Sequence, residues 1–149
     1  MMKSFSQRDN AWAYFNIGNS KLSIGRFGCT ITCIADLSTY FGEDLTPNDV
    51  NQRCLFTSGG LIYWSSCHFD RFHFERREYS RNDEGIKRAL QDPSAAVILQ
   101  VDNASHWVVA TGWQKEANTY KIADPWFGDW ANLIRYKNDI TGAAYFRRN

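Results

Sequence analysis

Between Thr30 and Tyr40 the apolar residues Ile31, Ile34, Ala35 and Leu37 recur at the three- and four-residue spacing of one helix face. Phe41-Gly42 then supplies a glycine stop. "LTPNDV" predicts a second, shorter helix to about Cys54, with Thr46 as N-cap, Pro47 at the first helical position and Asp49 at the capping-box position. "NDEGIKRAL" predicts a third, its acids at the start and bases near the end, as the helix dipole favours. The pattern then changes to three strand-like runs, "AAVILQV", "HWVVATGW" and "TYKIAD", separated by the polar turns "DNAS" and "QKEAN". A short run, "AAYF", closes the chain. Residues 1–28, punctuated by Gly18, Gly25 and Gly28, read as irregular, and residues 55–82 as a short hairpin or a loop with a helical turn. Helices first and strands later, the latter as an antiparallel meander, predict an α+β domain with an N-terminal helical part packed on an antiparallel β-sheet.

The length of 149 residues suits a single domain, and no repeat, low-complexity tract or linker divides residues 1–149. A net charge of +1 provides no excess of bases to attract phosphates, which argues against nucleic acid as a partner. No apolar stretch is long enough for a membrane span. The opening "MMKSFSQRDN" lacks an apolar signal core, so the expectation is a chain made without a secretory signal, cytoplasmic as synthesised. Its four cysteines are then expected as free thiols. Six Trp, seven Tyr and ten Phe exceed what a small core needs, so some are expected to line a groove or meet a partner.

Cys29 falls at the start of the first predicted helix, where unpaired backbone N–H groups and the dipole favour a thiolate. Gly28 before it would let a substrate approach the sulfur. Cys33, one turn on, together with Cys54 and Cys67, is assigned to packing. A thiolate nucleophile needs a base, and His106, opening the strand "HWVVATGW", is placed at a sheet rim where it can face a helix N-terminus. Asp124 ends the next strand before Pro125; if the two strands form a hairpin, it becomes a cross-strand neighbour able to orient the imidazole. Gln7 offers a side-chain amide as an oxyanion donor beside the Cys29 N–H. Trp107 and Trp126 are candidates to shield the site and contact substrate. A rival metal site, Cys67, His68 and His73 with Cys54 or Asp70, has the right atom types for zinc but lacks a finger's spacing.

Taken in order, "SQRDNAW", "IGRFGCTITCIADL", "SHWVVATGW" and "IADPWFGD" resemble the papain-like cysteine peptidases, in particular the bacteriocin-processing, double-glycine-peptidase-like branch. The resemblance runs from about residue 5 to residue 146 and is weakest over 55–82. It implies a papain-like fold, Cys29 as nucleophile, His106 as base and then acid, Asp124 as its orienting partner, Gln7 in the oxyanion hole, and no metal or other cofactor. It also implies a peptide substrate. Branch members that cut leader peptides are usually fused to a membrane transporter, and this sequence holds none. Some phage-encoded relatives are virion components that cut peptidoglycan peptides. The alternative is a catalytically silent domain of the same fold, a binding or structural module of a larger assembly such as a virion. The same residues also suit deamidation or acyl transfer, which share the thioester.

Overall fold

The apolar run at 95–101 lies at the centre of the protein. In the computed structural model, which describes residues 1–149, it forms β2 (Ala95–Val101), paired on one side with β3 (His106–Gln114) and on the other with β6 (Gly142–Arg148). Beyond β3 lie β4 (Thr119–Asp124) and β5 (Asp129–Asn132), and β1 (Phe72–Glu78) pairs with β6 at the far edge. The order is β1-β6-β2-β3-β4-β5, with every neighbouring pair antiparallel. The three expected runs thus form a meander, while the closing run inserts between β1 and β2.

Both faces of β2 are covered, which explains its apolar run without alternation. Ala96 and Ile98 face a core built on α2 (Cys29–Tyr40), whose Ile31, Ile34, Ala35 and Leu37 are all buried. Val97, Leu99 and Val101 face a second core, closed by Ile86 and Ala89 of α4 (Asp83–Gln91). The expected helix signals operate as chemistry predicts. Thr46 Oγ1 accepts the Asp49 N–H at 3.2 Å, and the Asp49 carboxylate accepts the Thr46 N–H at 2.9 Å, closing a capping box on α3 (Pro47–Arg53). Asn82 caps α4 by accepting the Gly85 N–H at 3.0 Å.

Residues 55–82 hold the main departures. Phe56 bridges to Ile62 in a small hairpin, Trp64–Ser66 makes a 3-10 turn, and β1 follows. The sequence does not announce β1 because an edge strand with a solvated face carries the charges of "FHFERRE". Cys54 and Cys67 are joined in a disulfide, which overturns the expectation of four free thiols. Leu55, Leu61 and Tyr63 are exposed, so the loop between the two cysteines has little core of its own to hold its ends together.

In the N-terminal part, α1 (Ile24–Phe27) is a single turn, and residues 3–7 form a strap across the molecule. On one side the Lys3 N–H donates to Thr39 Oγ1 and the Phe5 N–H to Asp36 Oδ1, both at 2.8 Å. On the other, the Gln7 N–H donates to the Pro125 carbonyl at 2.8 Å. The strap lies so close to the turn after β4 that a Cβ at Gly128, where φ is +69°, would come within 2.8 Å of Ser6. No helix of the protein is long and apolar enough to cross a membrane.

Candidate active site

Cys29 is the first residue of α2, and Gly28 before it provides no side-chain cap, so the N-terminal N–H groups of the helix have no side chain satisfying them. A Cβ at position 28 would lie 2.5 Å from the Ile24 carbonyl oxygen. Glycine is therefore required by the junction of α1 and α2, where residue 28 is buried, and this packing is the role the structure gives it. Cys33, one turn on, is fully buried, and burial first, then the nearby Asp36, Cys29 and Asp124, pushes its thiol well above the ordinary value. It stays a neutral packing residue.

His106 and Asp124 meet across the β3–β4 pair. The register sets Val109 opposite Ala123, so its continuation sets Asp124 opposite Val108, two residues from His106 on the same face. They are thus diagonal rather than directly opposed neighbours. His106 Nε2 donates to Asp124 Oδ1 at 2.9 Å, which leaves Nδ1 uncommitted, and His106 and Cys29 border the same cleft. Burial pulls the imidazole down, but the hydrogen bond to Asp124, with Cys29 and the Asp124 charge nearby, outweighs that and raises it to about 9.

Asp124 is wholly buried and is held by more than the histidine. Oδ1 also accepts the Trp126 N–H at 3.0 Å, while Oδ2 accepts from Arg135 Nη1 at 2.9 Å and from the Tyr136 hydroxyl. Burial alone would raise this carboxyl, yet the donors His106, Tyr136 and Arg135 bring it down to about 2. Arg135 in turn grips Asp129 with both terminal nitrogens at 2.9 Å. Arg135 and Tyr136 stand on a 3-10 turn, Leu133–Tyr136, and sequence reasoning missed both. One turn is too short to show periodicity, and only an arginine and a tyrosine soon after an Asp-Pro could have hinted at them.

Gln7 is buried, and its Nε2 donates to the Gly25 carbonyl at 3.3 Å, leaving the second amide proton free. Its Oε1 is buried without a partner. Gln7, Cys29, His106, Trp126, Arg135 and Tyr136 all border one cleft of about 500 Å³. Trp126 stands at its lip, with the Arg8 guanidinium 4.4 Å over the ring. Trp107 does not stand beside the base: adjacent strand residues point to opposite faces, and it turns into the α2 core, its ring 5.3 Å from Trp64.

The other histidines are apart from this site. His68 is exposed, and His73, on β1, bonds Asn149 Oδ1 at 2.6 Å. With Cys54 and Cys67 bonded to each other, the sulfurs of the rival zinc set are already engaged, and no group of three or more His, Cys, Asp and Glu side chains is placed to hold a metal. Comparison with protein-family models, curated proteins and solved structures gives no match to this chain. What the geometry offers chemically is a thiol at a helix N-terminus, a buried imidazole–carboxylate pair beside it, and an amide donor on the same cleft.

Proposed function

We propose that this protein is a cysteine peptidase of papain-like fold. The observation that carries the proposal is the convergence of Cys29, His106, Asp124 and Gln7, from three separate parts of the chain, around one cleft. The Cys29 thiolate attacks a peptide carbonyl, and the oxyanion is held by the Cys29 N–H and the Gln7 amide. His106, protonated and oriented by Asp124, gives its proton to the leaving amine as the C–N bond breaks. Water, deprotonated by His106, then cleaves the thioester and releases the acid. The sequence resemblance favours peptide hydrolysis, and bacterial cell-wall peptides, cut by some virion-borne members of the family, are the first substrates to try.

Alkylation by iodoacetamide, followed site by site across pH, tests the thiolate. Selective labelling of Cys29 below about pH 7, lost in His106→Ala, is the expected result. Digestion of peptidoglycan fragments and of a mixed peptide library, with Cys29→Ala as control, tests the reaction. If Cys29 labels no faster than a free thiol and neither digest shows a Cys29-dependent cut, the peptidase proposal fails. A binding or structural module would then take its place.

A further inference from the structure

Cys29 also borders a second groove of about 500 Å³, continuous with the first through Phe27 and Ser105. One wall is the disulfide-closed loop, with Phe56, Leu61, Ile62 and Trp64; Tyr79 and Trp107 face it. Arg77 stands among these apolar groups. Its guanidinium lies 4.1 Å from the Tyr79 ring centre and 4.8 Å from that of Trp107, a cation in contact with two aromatic rings.

Arg77 has no carboxylate partner. Its hydrogen bonds go to neutral oxygens, the Glu78 carbonyl and Gln100 Oε1, the latter at 3.4 Å. The nearest acid in sequence, Glu78, turns its carboxylate to Asn82 Nδ2 at 3.0 Å. The other arginines without an acid partner, Arg8, Arg26, Arg71 and Arg148, are exposed, where water solvates the charge. Arg77 is half-buried, and burial pulls its guanidinium below the ordinary value. A partly desolvated cation with unused donors at a groove wall is costly unless an anion completes it. A carboxylate fits the planar fork.

We propose that Arg77, with the aromatic walls beside it, is a specificity site for a peptide substrate that carries a carboxylate next to a bulky apolar side chain. This deepens the peptidase reading and rests on it for treating the groove as part of a substrate cleft. The apolar side chain lies against the stapled loop and Trp107, and the carboxylate meets Arg77.

The test uses Cys29→Ala protein, which cannot turn substrate over, and two probes, acetyl-Ala-Phe-Glu-Ala-amide and its Gln counterpart. NMR titration follows the Trp107 indole N–H and the Arg77 Nε–H. The Glu peptide is expected to shift both signals and to bind at least about tenfold tighter than the Gln peptide. Arg77→Gln should bring the ratio near one, and Arg77→Lys, which keeps the charge and the fold but not the fork, should leave a reduced preference. Equal affinities, shifts remote from Trp107, or no binding of either peptide at millimolar concentration would overturn the site. A protein that binds the Glu peptide by this pattern but cuts no peptide keeps the site and loses the peptidase proposal. One that cuts Glu and Gln peptides equally does the reverse.

Discussion

Asp124 shows how much of a site can rest on one buried side chain. Four donors surround it, and only the histidine among them is required by the chemistry of a nucleophile and a base. Removing one donor leaves a buried carboxylate under-satisfied, which costs more than the bond itself contributed. Arg135→Ala is therefore expected to destabilise the fold by about 2 kcal/mol, read by urea unfolding, and to raise the Asp124 carboxyl. Tyr136→Phe should do the same to a smaller extent, and if neither variant changes stability, the hydrogen bonds around Asp124 are idle. The two free cysteines separate in a similar way. Cys29→Ala should abolish turnover and leave the fold intact. Cys33→Ala, which opens space in the core beneath it, should cost about 1 kcal/mol of stability and little rate. Gln7→Ala should lower kcat roughly 100-fold with KM nearly unchanged, as for loss of one oxyanion donor; a KM effect alone would make Gln7 a binding residue.

At the scale of elements, what could be read from the sequence is what local patterning controls. The helix starting at Cys29, the capping box at Thr46 and the hairpin joining His106 to Asp124 each follow from spacing, caps and alternation within a dozen or so residues. The hairpin placed two of the site residues together before any tertiary contact was known. Arg135, Tyr136 and the aromatic cradle of Arg77 were not legible, because they depend on which distant segments fold against the ends of β3, β4 and β1. The disulfide was illegible for a related reason. Cys54 and Cys67 stand 13 residues apart around a loop whose closure depends on the Phe56–Ile62 bridge and the turn at Trp64. Closing a loop of that size restricts the unfolded chain by about 3 kcal/mol. The Cys54→Ser/Cys67→Ser double variant should accordingly melt about 10 °C lower in a thermal scan. The peptide-binding groove should suffer more than the catalytic pair, since the loop forms a wall of the groove and neither His106 nor Asp124 lines it. Unchanged binding in the double variant would mean that the loop holds its shape without the bridge.

The whole molecule is stapled around one electrostatic unit, and pH should expose it. The strap at residues 3–7 ties α2 to the turn after Asp124, and α2 brings Cys29 to a sheet rim that carries both His106 and Asp124. Folding therefore assembles the ion pair, and the pair should contribute to folding in return. His106 is raised in the folded protein to about 9, against about 6.5 in the unfolded chain, so its contribution is complete below about pH 6.5 and is lost as pH rises through 9. Asp124 is lowered to about 2 against about 3.9, so its contribution is complete above about pH 4 and is lost as pH falls toward 2. Each slope is worth about 3 kcal/mol, and both describe largely one interaction, so they do not add. Other groups also make stability depend on pH. Burial raises Asp36, with only the Phe5 N–H opposing it, and a raised carboxyl weakens the fold as pH rises. The difference between the wild type and a variant thus carries the test, since it cancels such common contributions. In urea unfolding at a series of pH values, His106→Gln should lose most of the wild-type decline between pH 6.5 and 9. Turnover by the wild type should fall across the upper part of that interval, as the imidazolium that protonates the leaving amine disappears. If wild type and His106→Gln keep a constant difference from pH 6.5 to 9, His106 gains no charge on folding, and the thiolate–imidazolium pair on which the proposed chemistry depends does not form.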